Sequence, residues 1–102
     1  MNKLYKFNFD CGRMGELQGL FVADKESVAK IMNKKVYFGE VLGKHSEIFG
    51  IVEESDISIL SEDQEFIEKL IEIMPKTGRT FTKSLTVSGY NPFSYLDDDE
   101  EE

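Results

Sequence analysis

The only thiol and the only imidazole in this chain, Cys11 and His45, are its one nucleophile-and-base pair. An imidazole activates a cysteine by taking its proton, so the two side chains must meet. Both fall in segments that read as hairpin turns, which allows contact. The simpler reading is that Cys11, ahead of a turn glycine, is a small filler, and that His45, in a polar turn, is solvated. No catalytic residue is assigned on this basis. A metal centre needs several His, Cys or carboxylate ligands converging on one point. With one His and one Cys, carboxylates would have to fill most positions, and no ligand pair has zinc spacing. Acids are numerous enough for an all-oxygen cation site, but no EF-hand pattern occurs. Neither metal nor cofactor is expected.

Residues 39–46, Gly-Glu-Val-Leu-Gly-Lys-His-Ser, invite a phosphate-loop reading. That motif needs four residues between its glycines and a Ser or Thr directly after the lysine. Here three residues intervene and His45 follows Lys44. Gly12, Gly15 and Gly19 likewise miss the dinucleotide fingerprint. Carboxylate pairs at Glu53–Glu54 and Glu62–Asp63 sit at a strand exit and a helix start, where solvation and the helix dipole explain them. Nucleic-acid binding needs a basic stripe. Lysines 30, 34, 35 and 44 offer a modest cluster, and the aromatics fall mainly on core-facing strand positions. Nucleic acid is therefore not the expected partner.

Six acids, Asp97 to Glu102, close the chain, and without them the formal charge moves from −8 to −2. The body is nearly balanced, which argues against a folded acidic mimic of nucleic acid. Just ahead of the acids stand Tyr90, Phe93, Tyr95 and Leu96, with Pro92 among them. Either residues 90–96 fold back and seal the core, or aromatics and acids together form a docking segment for a basic, grooved partner. Pro92 would stiffen such a segment in advance and lower its ordering cost.

The run from Val36 to Glu47, Val-Tyr-Phe-Gly-Glu-Val-Leu-Gly-Lys-His-Ser-Glu, resembles a hairpin of small uncharacterised phage and bacterial proteins. The ending Gly89-Tyr90-Asn91-Pro92-Phe93 fits the same family. The resemblance brings no activity, cofactor or catalytic residue. It implies a protein that modulates a host system by binding.

The elements that position these residues follow from periodicity. Tyr5, Phe7 and Phe9 alternate with Lys6, Asn8 and Asp10, the pattern of a half-buried strand. Alternation resumes at residues 16–23, with Leu17, Phe21 and Ala23 on one side, so residues 3–23 read as a hairpin. Asp24 can cap a short helix carrying Val28, Ile31 and Met32. Residues 35–42 and 47–53 read as a second hairpin. Its strands are apolar on both faces, which predicts a place near the centre of a sheet. Gly39 and Gly50 mark a bulge or the close approach of another segment. Ile57 to Leu60 reads as a further short strand. Ser61 and Gln64 form a capping box for a helix with the apolar stripe Phe66, Ile67, Leu70, Ile71 and Met74, ended by Pro75. Thr80 to Ser88 reads as the last strand.

The fold expected is α+β, a mainly antiparallel sheet of about five to six strands with one long and one short helix. Residues 1–89 form a single domain, followed by an aromatic and acidic tail, 90–102. With 40% hydrophobic and 31% charged residues, the composition suits a soluble globular chain. One cysteine and no membrane-length apolar run make the cytoplasm the default location. The function expected is a non-enzymatic binding module, of the kind a phage uses to inhibit or regulate a host protein. Its candidate partner contacts are Lys44, His45, Glu47, Tyr90, Phe93 and Tyr95. The alternative is a small nucleotide-binding protein or minor hydrolase using Lys44 and His45. An uncovered sheet face would favour a homodimer.

Overall fold

Alternation in the first ten residues produces the extended chain it predicts. Strand β1, Asn2–Asp10, pairs antiparallel along its whole length with β2, Glu16–Asp24. Gly12 and Gly15 turn the chain between them at φ values of 68° and 114°, which side chains resist. The computed structural model describes residues 1–43, 47–79, 81 and 83–96. Asp24 ends β2 and accepts a 2.7 Å hydrogen bond from the Ser27 amide, starting helix α1, Lys25–Ile31. Strands β3, Lys35–Gly39, and β4, Ile48–Ile51, form the second hairpin. Strand β5, Ile57–Ser61, helix α2, Gln64–Ile73, and strand β6, Leu85–Gly89, follow. A 3-10 turn at Pro92–Tyr95 closes the described chain.

Four strands make one antiparallel sheet in the order β5-β1-β2-β6. Helix α2 covers one face through Ile67, which meets Leu4, Val22 and Leu85. The other face presents Tyr5, Phe7, Leu17, Phe21 and Ala23 to α1, the β3–β4 hairpin and the 90–96 segment. The fold is thus α+β, with about half a dozen strands and two α-helices among the described residues.

Several local expectations change. The second hairpin is a separate two-stranded sheet rather than the middle of the main one. Its inner side chains Val36, Phe38 and Ile48 are buried, whereas Tyr37, Phe49 and Ile51 face outward. Asp63, not Ser61, caps α2, accepting from the amides of Glu65 and Phe66. Ser61 Oγ instead accepts from the Asp63 amide, and the Gln64 amide group donates to the Asn2 and Glu62 carbonyls. Phe66 lies off the buried stripe. Pro75 ends the α-helix as expected, since α2 stops at Ile73, and it falls in the first turn of a following 3-10 segment, Met74–Thr77, where its missing N–H costs nothing. Strand β6 is Leu85–Gly89, starting opposite Val22, rather than starting at Thr80; residues 80 and 82 of the expected strand lie outside the described residues.

Candidate functional site

The β3–β4 hairpin gathers most of the residues that chemistry and spacing single out. Its inner face is fixed by glycine at two points. At Gly39, φ is 80° and the register slips, so the strand ends in a bulge there. A Cβ on Gly50 would lie 2.7 Å from Phe9 Cζ, so the Phe9 ring occupies the space a side chain would take. Both glycines act as their place in the strands predicts. The base of the hairpin is closed, just after α1, by hydrogen bonds from the Asn33 amide to the Val52 carbonyl, 2.8 Å, and from the Val52 amide to the Lys34 carbonyl, 2.9 Å.

This anchoring leaves the outer face open. Tyr37 and Phe49 stand directly opposite each other, and Lys35 stands opposite Ile51. Tyr37, Phe49 and Ile51 are 46%, 61% and 44% exposed. The Tyr37 hydroxyl is pushed above its ordinary pKa by desolvation first, then by the charge of Glu47 and a hydrogen bond to it, then by Glu40. Glu47 itself is exposed, directly ahead of β4. A shallow hollow of about 260 Å³ beside Tyr37 is lined by Ser94, Tyr95 and Leu96. Leu96 is held there by a β-bridge to Val36.

The aromatic residues ahead of the acidic run pack inward. Tyr95 lies 4.7 Å from Phe38 with its ring tilted, Tyr90 sits 6.0 Å from Phe38, and Phe93 packs edge-to-face with Phe21 at 5.6 Å. The path to that cluster runs across Gly19, whose missing Cβ leaves room for the Tyr90 backbone. Asn91, 2% exposed, locks the crossing. Its amide donates to Ser84 Oγ at 2.8 Å and Thr86 Oγ1 at 2.9 Å, and its carbonyl accepts from the Phe93 amide at 3.0 Å. Of the two readings of residues 90–96, the structure has the one in which they seal the core. Lys44 and His45 lie outside the described residues, as do the acids 97–102.

Cys11 sits at the tip of the first hairpin, with its Sγ 3.6 Å from the Phe9 carbonyl. Partial burial and the charge of Asp10 push its thiol pKa up. A raised pKa lowers the thiolate fraction and opposes nucleophilic use. Among the described residues, no three His, Cys, Asp or Glu side chains converge as metal ligands. A larger hollow, about 560 Å³, lies between α1 and the β1–β5 pair, with Tyr5, Val28, Met32 and Ile57 as apolar walls and Lys3 and Lys25 at its rim. None of the sequence-predicted contacts lines it. No helix among the described residues is long and apolar enough to cross a membrane.

Sequence reasoning passed over Tyr37, Phe49 and Ile51 as surface residues. Their signal was visible as apolar side chains on both faces of the second hairpin. That pattern suggests double burial, but one of the two faces is exposed. No family model, curated protein or solved structure matches the chain.

Proposed function

We propose that this chain is a non-enzymatic protein-binding module that docks through the outer face of the β3–β4 hairpin, as a regulator or inhibitor of the phage type would. The observation that carries this reading is the exposed Tyr37–Phe49–Ile51 surface on a hairpin whose other face is fully engaged. Aromatic and β-branched side chains on a rigid strand pair offer large contact area at little conformational cost. Tyr is favoured in such roles because its ring buries while its hydroxyl stays hydrogen-bonded. The polar rim of such a surface is supplied here by Lys35, Glu40 and Glu47, and Lys44 and His45 lie between the two strands in the sequence.

The docking mode follows from the strand pair. Among the described residues, Leu96 covers part of the free edge of β3, and no strand pairs with the free edge of β4. An extended partner segment can add to that edge, with backbone hydrogen bonds giving affinity and the aromatic face reading alternate side chains. A second copy of the chain, joined edge to edge, is the homodimeric form of the same mode.

Site-specific photo-crosslinking tests this. A photoreactive residue replaces Phe49 in one variant and Glu68, an exposed position of α2, in another. The reading expects discrete adducts from position 49 in the native host and none from 68. The same adducts from both positions, or none from 49, would remove the hairpin face from the argument. An adduct of twice the chain mass identifies the homodimer.

A further inference from the structure

A second groove, independent of the hairpin face, carries its own assignment. It lies between α1 and the 90–96 segment, has a volume of about 450 Å³, and is walled by Ile31, Phe93 and Leu96. Ser27 and three ammonium groups, Lys30, Lys34 and Lys83, complete its lining, and among the described residues no carboxylate lines it. That is a concentrated positive site on a chain whose formal charge is −8. The lysines come from two distant parts of the sequence. Lys30 lies in α1, Lys34 follows it, and Lys83 precedes β6. The fold, not a run of basic residues, brings them together.

We propose that this groove is the docking site of the chain's own acidic run, residues 97–102. The argument rests on connection and charge. Leu96 forms part of the groove wall, and the next six residues are all acids. The first carboxylate is therefore delivered to the groove with no linker to span. Six extended residues reach about 20 Å, and the groove they enter begins at Leu96 itself. A tether this short holds the acids at an effective concentration of about 1 mM or more. An acidic peptide from outside must compete with that local supply, so the run acts as a built-in occupant that keeps other polyanions off the groove.

The test uses the full-length chain and a full-length variant in which the run is neutralised by D97N, D98N, D99N, E100Q, E101Q and E102Q. The probe is a labelled peptide of the sequence Leu-Asp-Asp-Asp-Glu-Glu-Glu, followed by fluorescence anisotropy at low salt. If the free peptide binds the open groove near 0.1 mM, the tethered run should weaken it about tenfold. The neutralised variant should thus bind the probe about tenfold tighter than the native chain. Adding Lys30→Gln, Lys34→Gln and Lys83→Gln should abolish that gain. Lysine side-chain NMR separates docking from a general change of charge. Neutralising the run should move the Lys30, Lys34 and Lys83 signals and leave Lys69, on α2, in place. Equal probe affinity in the two chains, a gain that survives loss of the three lysines, or uniform movement of all lysine signals would overturn the assignment. So would movement of those signals that appears only as protein concentration rises, because the run would then occupy the groove of a second copy.

Discussion

Replacing Asn91 by alanine is the sharpest probe of how residues 90–96 are held. The side chain is almost fully buried and makes three hydrogen bonds, two through its amide nitrogen to Ser84 and Thr86 and one through its oxygen from the Phe93 amide. Each such bond contributes about 0.5–1.5 kcal/mol net, and a buried group left without a partner costs about 1–3 kcal/mol. Ser84 is itself buried, whereas Thr86 and Phe93 are only partly so and can recruit water. Weighing these, Asn91→Ala should cost about 2–3 kcal/mol. For a domain of this size that lowers Tm by roughly 10–20 °C. Calorimetry and urea unfolding measure it. A double-mutant cycle then isolates the pair. Ser84→Ala should be nearly neutral in the Asn91→Ala background, because its hydroxyl has already lost its partner, giving a coupling of about 1 kcal/mol. A loss under 0.5 kcal/mol for Asn91→Ala, or strict additivity with Ser84→Ala, would refute the picture of a locked crossing.

Other outcomes follow from single contacts. Gly19→Ala should destabilise by about 3 kcal/mol and Gly50→Ala by less, because the first sets a Cβ against the Tyr90 backbone and the second meets only the end of the Phe9 ring; urea midpoints compare them directly. Ile48→Ala, which empties a buried position on the inner side of the hairpin, should cost about 2–4 kcal/mol in the same assay. The Asp24 carboxyl is held below its ordinary pKa, chiefly by the backbone hydrogen bond from Ser27. Its contribution is therefore complete above the ordinary carboxylate range and is lost as pH falls through the depressed folded value. Stability against pH should accordingly show a shallower acid limb in Asp24→Ala than in the native chain.

Period-two and capping signals predicted what local chemistry decides. Tyr5 to Phe9 and Leu17 to Ala23 alternate, and their partners, faces and connecting glycines follow. Asp24 caps α1 through Ser27, because an acceptor at that position meets an unpaired amide whatever the tertiary fold. Gly39 and Gly50 stood out for lacking volume in otherwise bulky strands, and each has a neighbour that needs the space or the turn. Long-range pairing was not readable. Residues 35–52 show apolar side chains on both faces, and burial on two sides or on one gives the same string of letters. The register of β6 depended on its partner β2, which lies some sixty residues away in the sequence. The lysine groove was invisible for a related reason. Lys83 joins Lys30 and Lys34 only through the return of β6 alongside β2.

The outer face of β3–β4 raises a question that folding alone does not answer. A two-stranded sheet is barely stable by itself and depends on the face it buries. Val36, Phe38 and Ile48 supply that face, together with Gly50, which admits Phe9. A polar outer face would serve folding as well, and threonine fits a strand as readily as tyrosine or isoleucine. Exposed contiguous apolar groups on a strand also invite unwanted association. Their presence at Tyr37, Phe49 and Ile51 therefore needs a reason outside the fold. The triple change Tyr37→Thr, Phe49→Thr, Ile51→Thr separates the two demands. If the face exists for docking, stability should fall by no more than about 1–2 kcal/mol, since these side chains stay roughly half exposed and removing them opens no internal cavity. Crosslinks placed at neighbouring Lys35 should then vanish, while circular dichroism and the Asn91-dependent melting behaviour persist. A loss of 4 kcal/mol or more with the backbone unfolded would mean that this surface serves the fold itself, and the docking reading would lose the observation that carries it.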